Sequence, residues 1–252
     1  MLFRSLTAHV LRLAGLGSGM RVLDVGCGAG DVSFLAASLV GPDGFVFGVD
    51  KSPEAVAMAR ERAQQSQLTN VQFAVSDLEE VQVEEPVDAL IGRLILMYFP
   101  RPAEVLRHLL THVRPAGLVV FQELDGSGVT AEPACETFLT AGARIAETLR
   151  RAGADLRTGL KLPVIFEDAG LPTPRTLQMA RVEHGPDAAG YAWMEQLTRT
   201  LLPLMERTGV ASAAEVDVDT LAERIRNEVV ARRASVVLPP FVGAWTRLGV
   251  QR

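Results

Sequence analysis

The chain has 252 residues, 48% of them hydrophobic and 22% charged, with a net charge of −5 and a pI of about 5.5. That length fits one domain spanning 1–252. The acidic balance lacks the cationic surface that phosphate neutralisation requires, so nucleic acid is not an expected partner. No apolar run reaches the length of a membrane span. Cys27 and Cys135 fit neither a disulfide framework nor a metal cluster, and they read as reduced thiols of a cytoplasmic protein.

Residues 1–18 read as an amphipathic helix; Arg12 interrupts what would otherwise pass for the apolar stretch of a leader. A core over 19–125 follows. An apolar strand runs into the turn Asp24-x-Gly26-x-Gly28-x-Gly30, and residues 31–40 form an Ala-rich helix that stops at Gly41-Pro42. Residues 45–49 form a second strand closed by Asp50. Ser52 and Pro53, as N-cap and first helical residue, open a helix that runs to about 67. Strands are expected at 71–75, 87–91 and 118–123. A helix is expected at 102–113, and Arg114-Pro-Ala-Gly117 is expected to turn the chain into the last of these strands. Such alternation predicts a parallel sheet with helices on both faces.

The remainder is less regular. Helices are expected at 133–152 and 163–169, and one strand at 175–184. Two amphipathic helices follow, one with Met194, Leu197, Leu201 and Leu204 on a stripe and a bend at Pro203, the other with Val218, Leu221, Ile225 and Val229. Ser212 and Glu215 have the spacing of a capping box. A last strand over 235–245 is interrupted by Pro239-Pro240, which predicts an edge or a bulge. Residues 186–233 are thus a helical insertion between the last two strands. It reads either as a cap over a ligand cleft or as a surface buried against the main domain or a second subunit, the latter making a homodimer.

The glycine turn carries the chemistry. Glycine at 26, 28 and 30 permits positive φ and close backbone approach, and the helix N-terminus beyond it presents free amides to a ligand. Asp50 lies twenty-two residues past Gly28, close to the spacing of a ribose-binding acid. A dinucleotide fingerprint would need a third glycine where Asp31 stands, and an acid there would repel a pyrophosphate. Asp24, ahead of the turn, suits a ligand with positive charge. With no Tyr-x-x-x-Lys pair in the chain, a nicotinamide dehydrogenase is disfavoured.

This string, with Asp50 and the Ser76-Asp77-Leu78 turn, resembles the class I S-adenosylmethionine-dependent methyltransferases over roughly residues 18–125, closest to the small-molecule branch of quinone-biosynthesis and natural-product enzymes. The resemblance implies a Rossmann-like, seven-stranded, mostly parallel sheet and S-adenosyl-L-methionine as cofactor. It places Asp24, Gly26, Cys27, Gly28, Gly30, Asp50, Lys51, Ser76, Asp77, Leu78 and Arg93 around that cofactor. Asp77 would meet the adenine amino group and Leu78 a ring nitrogen, with Arg93 and Leu94 near the methionine end. Relatives often have Lys-Pro-Gly-Gly where this chain has Arg114-Pro-Ala-Gly117, so Ala116 departs from the pattern in its turn. No metal is implied; His108 and His112 are four apart but lack a third ligand.

The expected function is methyl transfer to an oxygen or nitrogen of a small apolar metabolite, in secondary-metabolite (natural-product) biosynthesis. Carbon methylation of a quinone precursor and a non-catalytic cofactor-binding accessory protein are the alternatives. Glu123, Tyr98 and His184 are the candidates for a catalytic or substrate contact, with Glu123 first; a hydrogen-bonding structural carboxylate is the other reading of Glu123.

Overall fold

The structure, a computed structural model, describes residues 3–249. Helix α1 (Arg4–Ala14) precedes β1 (Arg21–Val25), and α2 (Asp31–Val40), β2 (Phe45–Asp50), α3 (Pro53–Gln65), β3 (Val71–Val75), β4 (Val87–Arg93), α4 (Pro102–Leu109) and β5 (Val113–Leu124) follow in strict alternation except between β3 and β4. Beyond them lie β6 (Thr130–Glu132), α5 (Glu136–Arg151), α6 (Thr158–Asp168), β7 (Arg175–Met179) and β8 (Val182–His184). The chain ends with α7 (Ala189–Arg207), the short α8 (Ala213–Val216), α9 (Leu221–Arg232), β9 (Ser235–Val237) and β10 (Phe241–Arg247).

The main sheet has seven strands in the order β3-β2-β1-β4-β5-β10-β7. The first five pair in parallel, and β10 runs antiparallel to both β5 and β7. Strand periodicity assigns the faces. Val22, Ala89, Ile91, Leu118 and Val120 pack with α1, α2 and α3, whereas Leu23, Leu90, Val119 and Phe121 pack with α4 and α6. The sheet is therefore buried on both sides, as its near-continuous apolar strands require. Local signals hold where the sequence offered them: the Ser52 hydroxyl accepts from the Ala55 amide at 3.1 Å, and Ser212 and Glu215 close a reciprocal capping box.

Four expectations are corrected. Residues 175–184 are two strands in different sheets, since β8 pairs with β9 rather than continuing β7. Residues 235–245 likewise split at Pro239-Pro240. There the chain leaves the three-stranded sheet β6-β9-β8 and enters the main sheet, so the prolines mark a crossing, and β10 lies inside the sheet. The helix expected from 163 begins at Thr158 and carries Pro163 inside it. Residues 114–117 belong to β5 as a bulge: Val87 faces Val113, but Ala89 faces Leu118. Ala116 sits in that bulge with φ +60°.

A separate apolar cluster joins α5, α7 and α9 to the small sheet through Phe138, Ile145, Met194, Ile225, Val229 and Val236. Phe3 and Phe241 link that cluster to α1 and the main sheet. Among the described residues, no helix is long and apolar enough to cross a membrane.

Candidate active site

The turn after β1 is set by three glycines with φ +67°, +53° and +86° at Gly26, Gly28 and Gly30. They differ in what surrounds them. A Cβ at Gly26 would meet Ile95 at 2.7 Å, and one at Gly30 would meet Phe34 and Phe73 at 2.9 Å. A Cβ at Gly28 would meet nothing within 4 Å. Two glycines are thus demanded by packing, while the middle one borders open space, as expected where a ligand approaches main chain.

Asp50, at the carboxyl end of β2, reaches across to this turn. One carboxylate oxygen accepts the Gly28 amide at 2.8 Å and the other accepts the Ser52 amide at 2.9 Å. Its remaining lone pairs and half-exposed position leave it able to accept ligand hydroxyls. Lys51 is exposed beside it. At the end of β3, Ser76 donates its amide to the Asp50 carbonyl at 3.0 Å, Asp77 is exposed, and Leu78 is buried. The three strand ends therefore converge on one edge of the sheet, where open α/β sheets bind ligands.

Asp24 is buried beneath the turn and accepts from the Ser33 hydroxyl at 2.5 Å. Burial pushes its carboxyl up to about 7, although the Ser33 bond and the charge of Arg93 pull the other way. Cys27 is buried, and its thiol is pushed up chiefly by burial, so it fills space as a small neutral side chain. Asp31 opens α2 and is paired with Arg62 at 2.8 Å; Arg62 also donates to the Ala29 carbonyl.

Next to the turn lies a cavity of about 610 Å³. Asp31, Arg93 and Tyr98 line it, and the rest of its wall is apolar. Leu139, Ile145, Ala146 and Leu149 of α5 face Trp193, Met194, Leu197 and Leu201 of α7 across it. Phe3 closes one corner, its ring edge-on to Trp193 at 5.1 Å and against Phe241 at 4.6 Å. Arg93 donates to the Thr7 hydroxyl at 3.3 Å, which ties β4 to α1. The contribution of α5 and Phe3 was not foreseen: 133–152 was readable as a helix, but not that part of its apolar face lines a cavity.

Of the three candidates for a catalytic contact, Tyr98 lines the cavity. Glu123 does not. It is fully buried, and one of its oxygens accepts the amides of Ile95 and Leu96 at 3.0 and 2.8 Å, while the other has no hydrogen-bond partner among the described residues. Burial pushes this carboxyl up to about 7. Glu123 therefore braces the loop that follows Arg93 and carries Leu94 and Tyr98, and is not part of the cavity wall. His184 is on β8, with Nδ1 at 2.8 Å from the Ala234 carbonyl, and is not part of the cavity wall. His108 and His112 stack edge to face, and among the described residues no cluster has the ligands for a metal ion.

Residues 16–169 match a family model described as a methyltransferase domain. Arsenite methyltransferase of Halobacterium salinarum is 33% identical over 143 residues, covering 54% of this chain and 37% of that protein. A ubiquinone biosynthesis O-methyltransferase of Albidiferax ferrireducens is 34% identical over 112 residues, 44% of this chain and 43% of its own length. These matches thus span less than half of either relative. A solved phosphoethanolamine N-methyltransferase 2 of Haemonchus contortus, in complex with phosphomonomethylethanolamine and S-adenosylhomocysteine, aligns with a TM-score of 0.59 at 19% identity. That alignment covers 98% of this chain and 53% of the other, a likeness of fold. Strand order, glycine turn and family match agree: the chain belongs to the methyltransferase-domain family, among the class I S-adenosylmethionine-dependent methyltransferases.

Proposed function

We propose that this protein transfers the methyl group of S-adenosylmethionine to an oxygen or nitrogen of a small apolar metabolite, as a step in secondary-metabolite biosynthesis. The observation that carries this reading is the junction of two spaces: an open backbone turn ringed by carboxylates, and beside it an apolar cavity, meeting at Asp31 and Arg93. In this reading Asp50 takes the ribose hydroxyls, Asp77 and Leu78 meet the adenine, and Arg93 lies at the methionine end. Asp24 supports the turn from below through Ser33 and adds negative charge when ionised. When bound, the cofactor supplies an electrophilic methyl on a positively charged sulfur.

The chain's own residues then orient the acceptor and exclude water. In this reading the α7 wall acts as the cap expected of residues 186–233, and α5 is a second contributor; the apolar residues that both helices turn to the cavity support it. An enclosure of this size and polarity favours a compact hydrophobic acceptor. Calorimetric titration with S-adenosylhomocysteine tests the reading. Binding that weakens by roughly ten- to hundredfold in Asp50→Ala is expected from losing charge-assisted hydrogen bonds. No heat of binding at high micromolar ligand, or equal affinity in Asp50→Ala, overturns it.

A further inference from the structure

The glycine turn takes its shape from residues outside it. Glycine has the widest choice of backbone conformation, so a turn that carries three has little form of its own. Asp50 takes the Gly28 amide at 2.8 Å, and the Gly30 amide bonds the Cys27 carbonyl at 2.9 Å. Between those two points stands Ala29. Its carbonyl is held from α3 by Arg62, which donates one amino group to it at 2.5 Å. The other amino group donates to the Asp31 carboxylate at 2.8 Å. The guanidinium lies 5.0 Å from the centre of the Phe34 ring, and Phe34 meets Phe73 edge to face at 5.6 Å. A Cβ at Gly30 would strike both rings at 2.9 Å, so the same aromatic pair backs the turn. One side chain from the next helix thus spans Gly30 and grips the residues on either side of it.

Stability explains little of this arrangement. The side chains of Arg62 and Asp31 are 40% and 39% exposed, and an ion pair so open to water adds little to folding. What a guanidinium fork adds is direction, because it fixes two acceptors relative to one another. Asp31 also lines the apolar cavity, one residue beyond the turn. There it faces Arg93 as well as Arg62. A donor with a positively charged centre would therefore meet a carboxylate that is already paired.

Resting on the methyl-transfer reading above, we propose that Arg62 is a positioning residue for the donor, which fixes the Ala29 carbonyl within the glycine turn and holds the Asp31 carboxylate in a pair beside the cavity. The first contact preforms the turn, so the donor does not have to order it on arrival. The second moderates the pull of Asp31 on the positive donor relative to the neutral thioether that transfer leaves behind.

The test uses the 252-residue chain and two ligands followed by calorimetry. S-adenosylhomocysteine is neutral at sulfur, and sinefungin places an ammonium near the sulfonium position. In Arg62→Met, S-adenosylhomocysteine affinity should fall about tenfold, in step with the fraction of molecules whose turn is formed. The preference for sinefungin over S-adenosylhomocysteine should rise roughly two- to fivefold, the effect of releasing a partly exposed charge. Arg62→Lys restores a positive charge without the fork. It should return the preference to the wild-type value while S-adenosylhomocysteine affinity stays low. Adding Asp31→Asn to Arg62→Met should abolish the rise in preference. Arg93 is present in every variant, so the comparison isolates Arg62. A merely stabilising arginine would lower Tm and weaken both ligands in equal ratio. Should Arg62→Met lack a cooperative thermal transition, Arg62→Gln carries the same two expectations, since it keeps one donor and no charge. Wild-type affinity in the uncharged variant, an unchanged preference, or full recovery of affinity in Arg62→Lys overturns the proposal. Failure of the wild type to bind S-adenosylhomocysteine instead removes the methyl-transfer reading on which it stands.

Discussion

The glycine turn and the apolar cavity adjoin, yet they are built from different material. The turn is main chain: amides, three positive φ angles and the carboxylate of Asp50 holding the Gly28 amide at 2.8 Å. The cavity is side chain: leucines, an isoleucine, Met194 and Trp193 on two helices that touch the sheet through Phe3 and Phe241. Main-chain geometry tolerates few alternatives, because a Cβ or a lost φ cannot be repacked. Apolar walls can exchange volume at modest energetic loss. Substitutions at the turn should therefore act nearly all-or-none on the donor, and substitutions in the walls should grade acceptor preference.

Gly28→Ala breaks that comparison most sharply if it is mistaken. The added methyl meets nothing within 4 Å, so the strain is confined to φ +53° and should destabilise the fold by about 1–2 kcal/mol. The same methyl projects into the space assigned to the cofactor. S-adenosylhomocysteine affinity should fall about a hundredfold, close to 3 kcal/mol, with a cooperative thermal transition retained. Gly26→Ala should instead lose stability first, because its methyl would stand 2.7 Å from Ile95. Wild-type affinity in Gly28→Ala would show that the ligand lies elsewhere.

The loop between the two spaces is next. Glu123 ties Ile95 and Leu96 to β5, and its carboxyl is raised from its ordinary 4.5 to about 7 by burial. In the folded protein it keeps its proton up to that pH, whereas the unfolded chain releases it near 4.5. Between those values the native state binds more protons, so stability falls as pH rises and is level above about 7. Asp24, raised from 3.8 to about 7, adds a slope of the same sign. Glu123→Gln keeps an oxygen for the two amides and removes one ionisation. Its denaturation midpoint in urea should vary less between pH 5 and 8 than that of the wild type, with a gain of roughly 1–3 kcal/mol at pH 8. An unchanged pH slope would mean that Glu123 titrates normally.

In the wall, Ala146 of α5 lines the cavity opposite α7. Ala146→Leu should occupy part of the 610 Å³ and raise KM for bulky acceptors about tenfold, an effect of 1–2 kcal/mol of overpacking, with S-adenosylhomocysteine affinity unaltered. A parallel loss of donor affinity would join the two spaces into one.

The same division explains what could be read from the chain alone. The turn was legible because glycine spacing, a strand-end acid and an N-cap at Ser52 are local codes, and the structure brings Gly28, Asp50 and Ser76 to one strand edge. The cavity depended on tertiary placement. Nothing local distinguishes the face of α5 that packs on α9 from the part that faces the cavity, and the pattern over 175–184 cannot reveal that its halves join different sheets. Glu123 stood at a strand's carboxyl end, where ligand contacts gather, and only burial shows that it braces a loop.

The smallest expected effect lies outside both spaces, at Ala116. This residue holds φ +60° within the β5 bulge, where its carbonyl accepts from Arg247 at 3.0 Å and the adjoining Gly117 carbonyl accepts the Leu248 amide at 2.8 Å. Those bonds fix the backbone in a region that an alanine occupies at a penalty of about 1–2 kcal/mol and a glycine occupies freely. Glycine also gives the unfolded chain more freedom, which returns part of the gain. Ala116→Gly should therefore stabilise by somewhat less than 1 kcal/mol, about 2–4 °C in Tm for a domain of this size. It should leave donor and acceptor constants alone, because the side chain is exposed on a bulge that lines neither space. A lower Tm would mean that the bulge relaxes out of the left-handed region in solution.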